Sequence, residues 1–378
     1  MSPLSELLAG RIAADGPIPF REFMEATLYH PEFGYYGSGR GAIGRHGDYF
    51  TNVSVGSLFG VLLMRQFAEM WRLLGSPEHF TVVEQGAHHG HFAGDVLQSA
   101  RQWEPDFFRA MRYAIVEPVS RLEASQRALL APFGEKVSWS PRVSELGAFE
   151  GVHFSNELLD AFPVHVVRLT ENGWVERVVD FRDEQFIWES TPIENPVIRA
   201  QAESLPADLP IGYQTEINPA LDPWSAEVAD RLRRGWVLTI DYGYSHAEYY
   251  RAERIAGTLS AYSAHQRVAD PLQSPGEIDL TAHVDFSRLT AAAEIHGLRL
   301  CGFADQHHFM VALGRLHFHD TTEITPELQK EQRAFKTLMH PNLLGAAFKV
   351  ICFEKSATDH RNALSGFHYA GENFREKL

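Results

Sequence analysis

Cysteine is almost missing from this chain: Cys301 and Cys352 are the only two in 378 residues. That excludes a disulfide framework and a cysteine-rich zinc site. No apolar run approaches the roughly 20 residues that span a bilayer. The opening Met1-Ser2-Pro3-Leu4-Ser5-Glu6 lacks a basic region followed by an apolar one. These absences give a cytoplasmic location and no membrane partner as expectations. Positive charge is also scarce, with 34 Lys and Arg against 49 Asp and Glu and a formal net charge of -15. Nucleic acid is therefore not expected as the main partner, because phosphate affinity comes from clustered Lys and Arg. A cationic substrate suits the acidic balance. There is no internal repeat and no low-complexity tract. What remains is ordinary soluble composition, 44% hydrophobic and 22% charged, in a chain long enough for two or three domains or one elaborated α/β domain.

The organising stretch is Thr81-Val82-Val83-Glu84-Gln85-Gly86-Ala87-His88-His89-Gly90. An apolar β-branched run ends in an acid, then a small-residue turn, then helical spacing, as when a buried parallel strand feeds a helix. Further strands are expected at 112–118, 136–139, 152–157 and 236–241, with helical segments between most of them. Repeated βα units imply a mostly parallel, doubly wound sheet. Runs at 164–169, 174–181 and 186–188 read as an inserted β-meander, with Asn172-Gly173 marking a hairpin turn. The Pro-containing stretch 191–210 reads as irregular, and 242–276 as largely loop. A helix is expected over 285–296, and closing strands at 298–303, 309–313 and 348–353. Residues 34–48 carry too many glycines for regular structure and suit a lid or a flexible loop.

Glu84, Glu117, Glu157 and Asp241 each fall at or near the carboxyl end of an expected strand. Ligands of open α/β sheets bind at that edge, and an acid ending the second strand accepts from a ribose diol, which is the role expected of Glu117. Glu157 and Asp160, three residues apart as the chain leaves a strand, could converge on a planar guanidinium. Arginine stays protonated in water, so alkylating it requires help in removing a proton and localising a lone pair. Both acids are candidate catalytic groups on that ground.

Gly47-Asp48-Tyr49-Phe50-Thr51, Asn156-Glu157-Leu158-Leu159-Asp160-Ala161-Phe162-Pro163, Ile240-Asp241-Tyr242-Gly243 and Pro275-Gly276-Glu277-Ile278-Asp279-Leu280-Thr281-Ala282-His283-Val284-Asp285-Phe286 occur in this order. With them the chain resembles the MidA-like family of S-adenosylmethionine-dependent methyltransferases. That family includes the mitochondrial complex I assembly methyltransferase, which modifies a protein arginine. The resemblance covers about residues 17–355. It implies a Rossmann-like class I methyltransferase fold, with S-adenosylmethionine as cofactor and a protein arginine as substrate. By resemblance, Gly86, Ala87 and Gly90 line the cofactor with Glu84 close below, and Glu117 holds its ribose. Asn156 and Glu157 border the transferable methyl, Thr51 covers the site, and Asp241, Asp279 and His283 lie on the substrate side. The implied layout is an N-terminal helical cover with the Gly-rich loop at 1–75, a core at 76–163 and 211–360, the inserted β subdomain at 164–210, and a tail at 361–378. A homodimer stays open.

One departure stands out. Where the family usually has Glu-Leu-Gly-Pro-Gly-Arg-Gly, this chain has Glu84-Gln85-Gly86-Ala87-His88-His89-Gly90, so an imidazole replaces the middle glycine. That motivates a rival reading: a methyltransferase-fold protein that has lost transfer and acts in binding or assembly. A nicotinamide-dependent oxidoreductase is disfavoured, because Gly-x-Gly-x-x-Gly is missing from the same turn. His88-His89-His91, His307-His308 and His317-His319 lack the spacing of a metal-binding set, and no metal is expected.

Overall fold

The computed structural model describes residues 1–38, 52–263, 266–318, 325–340, 344–356, 360, 363–370, 376 and 378. Thr51 and residues 39–48 of the glycine-rich loop lie outside the described residues. The chain divides into two compact units. Met1–Tyr49, Leu159–Pro223 and Tyr244–Asp285 form the meander unit; Phe50–Leu158, Trp224–Gly243 and Phe286–Leu378 form the sheet unit.

Among the described residues, seven strands make up the main path of the sheet in this unit: β1 (Phe80–Gln85), β2 (Met111–Val116), β3 (Val137–Ser140), β4 (Phe149–Asn156), β5 (Leu232–Tyr244), β6 (Arg299–Asp305) and β7 (Phe348–Lys355). Their spatial order is β6-β7-β5-β4-β1-β2-β3. The pairings from β5 through β3 are parallel, whereas β7 is antiparallel to both β5 and β6. β1 and β4 are buried along most of their length, as suits strands covered on both faces.

Helices α1 (Leu58–Leu73) and α2 (His91–Trp103) contribute aromatic rings to the core of this unit. Phe92 stacks on Phe154 at 4.6 Å between centroids, and Phe67 meets Phe154 edge-on at 5.6 Å. This packing joins α1 and α2 to β4. Three strands also approach closely at one point. Gly151 lies opposite both Thr81 and Gly235, and a Cβ on Gly235 would stand 1.8 Å from the Gly151 carbonyl oxygen. Only glycine fits there, and Gly235 has φ +137°.

The meander unit holds an all-antiparallel sheet. The hairpin of His165–Thr170 and Gly173–Arg182 extends to Gln185–Pro192, while Ile18–Pro19 pairs with Gly173–Arg182 and Gln214–Ile217 with His165–Thr170. Helices Pro3–Asp15 and Phe20–Tyr29 share one apolar core with Val164, Val166 and Val179. The linear layout is therefore regrouped in space. Residues 1–38 pack with the insertion, and α1 belongs to the core of the sheet unit.

Some expected elements change. Residues 309–313 are helical, inside α3 (Gln306–Phe318), rather than a closing strand. Phe309, Met310 and Leu313 are buried at a spacing that satisfies a helix as well as a short buried strand, and a five-residue apolar run cannot separate the two. Asp305 supplies the missed start signal: its Oδ1 accepts the backbone N–H of His308 at 2.9 Å. The stretch 191–210 contains helix Pro196–Glu203, capped by the Asn195 side chain. Residues 242–276 include Ser260–Ser263 and Gln266–Val268, which form a three-stranded sheet with Asp279–Thr281. The hairpin turn falls one residue early, on Glu171-Asn172, since Thr170 pairs with Gly173.

The glycine contact between β4 and β5 yields a prediction. Gly235→Ala must push these strands apart or strain the backbone, so it should cost about 3 kcal/mol or more of unfolding free energy. Denaturant melts check this; a loss below about 0.5 kcal/mol would show that the sheet can open there without strain.

Candidate active site

β1 and β4 are parallel neighbours, with Gln85 opposite Ser155. The strand after β1 lies on one side of this pair and the strand after β4 on the other. Strand order therefore reverses here, and a crevice is left at the carboxyl ends.

The turn after β1 forms one wall. Gly86 has φ +83°, and a Cβ on it would lie 3.3 Å from Leu158 Cδ1, so both conformation and contact favour glycine. His88 has φ +46°. The histidine thus keeps a left-handed backbone, a conformation natural to glycine, at a cost of order 1 kcal/mol. Gln126 holds it: Nε2 donates to the His88 carbonyl at 2.7 Å and to Glu117 Oε2 at 2.8 Å. Trp139 Nε1 in turn donates to Gln126 Oε1 at 3.0 Å, which fixes the orientation of the buried amide.

Two acids lie by this turn in unlike settings. Glu84 is buried in β1 and accepts from the Tyr113 hydroxyl at 2.7 Å. Burial pushes its carboxyl up to about 8; the Tyr113 bond opposes the rise and the Glu117 charge adds to it. Glu84 is therefore mostly a neutral acid at pH 7. Glu117 follows β2, and its Oε1 accepts from Val119 N–H at 2.9 Å. Burial pushes it up to about 7 against the pull of the Val119 and Gln126 donors, with a smaller raising contribution from Glu123.

The turn after β4 forms the other wall. Glu157 has φ +54°, and its N–H donates to the Ile240 carbonyl at 2.9 Å. A bulky residue held in this region marks a turn fixed by its surroundings. Asp241 helps to fix it. Its Oδ2 accepts from Leu158 N–H at 3.2 Å and its Oδ1 from Tyr242 N–H at 2.8 Å, and it is fully buried. Asp241 thus braces this wall. Asn156 Nδ2 donates to Glu157 Oε1 at 2.8 Å, and Asn52 Nδ2 donates to Asn156 Oδ1 at 2.9 Å.

The sheet unit thus brings Glu84, Gly86, Ala87, Gly90, Glu117, Asn156, Glu157 and Asp241 to one edge. Asp160, Asp279 and His283 belong to the meander unit. There the Asp160 carbonyl accepts from Ala282 N–H at 2.9 Å, and Asp279 Oδ1 accepts from the Tyr36 hydroxyl at 3.0 Å. Burial, then the charges of Arg254 and Arg267, push His283 down to about 4, so it is neutral at pH 7. Gln126 and Asn52 escaped the sequence reading because a single amide in a helix or loop carries no pattern. Trp139 ending an expected strand was the nearest signal.

These residues suit an adenosine-type ligand. A bare exposed turn at Gly86 admits close approach, and a carboxylate ending the second strand can accept from a vicinal diol. Among the described residues there is no group of three His, Cys, Asp or Glu that could hold a metal. His307 and His308 instead serve structure, with Nδ1 atoms bonded to the Met339 carbonyl and to Asp305 Oδ1, each at 2.7 Å.

Comparison with known proteins agrees with the fold and with the cofactor class. The profile of a family of S-adenosyl-L-methionine-dependent methyltransferases matches residues 62–304. A Burkholderia thailandensis protein crystallised with S-adenosyl-homocysteine superposes with a TM-score of 0.88 at 31% identity, over 98% of this chain and 96% of that one. The mitochondrial protein arginine methyltransferase NDUFAF7 homolog of Drosophila melanogaster is 28% identical over 376 residues, 92% of this chain and 84% of that protein. Human mitochondrial NDUFAF7 is 26% identical over 382 residues, 92% of this chain and 82% of that protein. These mitochondrial relatives overturn the expected cytoplasmic location. Cysteine scarcity was its main support, and that does not separate one reducing compartment from another.

The setting of Glu117 predicts a pH dependence of ligand binding. Diol hydroxyls donate best to an ionised carboxylate, so affinity for S-adenosyl-homocysteine should rise about tenfold between pH 6 and pH 8. Glu117→Gln should flatten that rise. Titration calorimetry checks both; a flat profile in the unmodified protein would remove the carboxylate from the ribose site.

Proposed function

We propose, from the premise that this chain belongs to the S-adenosyl-L-methionine-dependent methyltransferase family described above, that it methylates an arginine nitrogen on a protein partner. S-adenosylmethionine is its cofactor. Bound at the rim, that cofactor supplies a sulfonium methyl open to nucleophilic attack. Glu117 would hold the ribose, the Gly86 turn would take the methionine part, and Asn156 with Glu157 would border the methyl.

The observation that carries the arginine reading is Glu157. It is a half-exposed carboxylate on a fixed, left-handed turn, anchored at one oxygen by Asn156. A guanidinium keeps its proton in water and spreads its lone pairs over three nitrogens. A carboxylate held at its edge would orient it, balance its charge and take up the proton released as the nitrogen is alkylated. Asp160, three residues further along, is the second acid that the family motif implies. A sheet unit that excludes water from this rim would strengthen each of these effects. The names of the Drosophila and human relatives support protein arginine as the acceptor, and the chain's net charge of -15 suits a cationic partner surface.

The test is incubation of the enzyme with isotopically labelled S-adenosylmethionine and a protein extract, followed by mass spectrometry of the products. Label should appear on arginine, and Glu157→Gln should cut incorporation by about 100-fold or more. Affinity for S-adenosyl-homocysteine should stay within about threefold. Label on another residue type would refute the arginine assignment, and full transfer by the variant would take Glu157 out of the chemistry.

A further inference from the structure

Three side-chain amides stand in line behind Glu157, drawn from distant parts of the chain. Asn156 Nδ2 donates to Glu157 Oε1 at 2.8 Å, Asn52 Nδ2 to Asn156 Oδ1 at 2.9 Å, and Gln306 Nε2 to Asn52 Oδ1 at 2.7 Å. Gln306 Nε2 also donates to the Leu338 carbonyl at 3.0 Å. Asn52 and Gln306 are fully buried, and all of these residues lie in the sheet unit.

The line has only one consistent polarity. An amide can in principle be turned end for end, exchanging donor and acceptor. The Leu338 carbonyl, however, can only accept, so Gln306 must turn its NH2 group that way. The same NH2 meets Asn52, which must therefore present its oxygen and point its own NH2 onward. Asn156 is fixed by the same logic, and the last NH2 in the line faces Glu157. Buried amides cannot easily reverse, because each reversal would set oxygen against oxygen or strand a donor out of water.

We propose that Asn52 and Gln306 are positioning residues for the methyl-transfer step, fixing the Glu157 carboxylate through Asn156. The proposal rests on the reading of Glu157 as the group that orients the acceptor and takes its proton. Gln306 sits at the first turn of α3 and Leu338 near the end of helix Pro326–Met339, so two helix ends set the orientation of a group at the sheet edge. A displacement of about 1 Å in such a group can cost on the order of 100-fold in rate.

Two variants of nearly unchanged size test the line. In Asn52→Asp a carboxylate oxygen replaces the donor, so Asn156 must turn its NH2 toward position 52 and its oxygen toward Glu157. Gln306→Met removes the first donor and keeps the length of the side chain. Transfer of tritium from labelled S-adenosylmethionine to a protein extract is measured at varied cofactor concentration. The expected result is a kcat lowered about 10- to 100-fold with KM for S-adenosylmethionine within about threefold. Asn52→Asp combined with Asn156→Ala should fall no further than Asn156→Ala alone, as for residues acting through one another. A merely structural role would lower thermal stability without this split and would add to Asn156→Ala. Should Asn52→Asp fail to fold, Gln306→Met carries the same comparison. If both variants keep kcat within about twofold while Glu157→Gln is inactive, the positioning role is overturned and the reading of Glu157 stands. If Glu157→Gln is itself fully active, the underlying reading falls first. If even the unmodified enzyme labels no protein, crystal structures of the two variants decide: a turned Glu157 carboxylate supports the line of amides, and an unmoved one overturns it.

Discussion

Two parallel strands whose onward connections leave in opposite directions cannot both be roofed by the same helix layer, and β1 and β4 are that pair. Everything proposed for the site depends on this reversal of strand order. It places the turn at Gly86–Gly90 beside the turn at Glu157-Leu158, with Gly86 so close to Leu158 that a methyl group would touch it. The crevice is therefore a consequence of topology, and the side chains around it decide what it can hold.

Two of the six described non-glycine residues with positive φ lie at the same edge. His88 and Glu157 both occupy the left-handed region without being glycine, and the backbone of each is held by a hydrogen bond to another segment. Gln126 grips the His88 carbonyl while orienting Glu117, and Asp241 sets one oxygen on the Leu158 N–H beside Glu157 and the other on the N–H of its own neighbour Tyr242. Strain of this kind persists only where the surroundings over-determine it. Where the family pattern has a glycine, His88 keeps a left-handed backbone, a conformation that glycine adopts readily.

Much of this could be read from residue order. The strands announced themselves as apolar runs, and acids at their ends marked the edge where a ligand would sit. The family motifs then added a cofactor and an acceptor class. What escaped was whatever depends on contact between distant segments. Asn52 and Gln306 are ordinary amides until the fold sets them in line with Asn156, and Gln126 is one polar residue in a helix until Glu117 and His88 meet it. Residues 309–313 failed for a local reason, because a short apolar run fits both periods and the cap at Asp305 went unweighed. The grouping of residues 1–38 with the meander was invisible for the opposite reason, since a two-residue strand at Ile18–Pro19 carries almost no signal. Location was misjudged because it was inferred from absences.

The central claim is that S-adenosylmethionine is seated where the strand order reverses, between the Gly86 turn and the Glu157 turn. A crystal structure grown with S-adenosyl-homocysteine tests it most directly. The account predicts the ligand against Gly86, with its ribose hydroxyls on Glu117 and its sulfur on the side of Asn156 and Glu157. Ligand bound at any other edge of the sheet, or the His88 ring filling this crevice in its place, would contradict it.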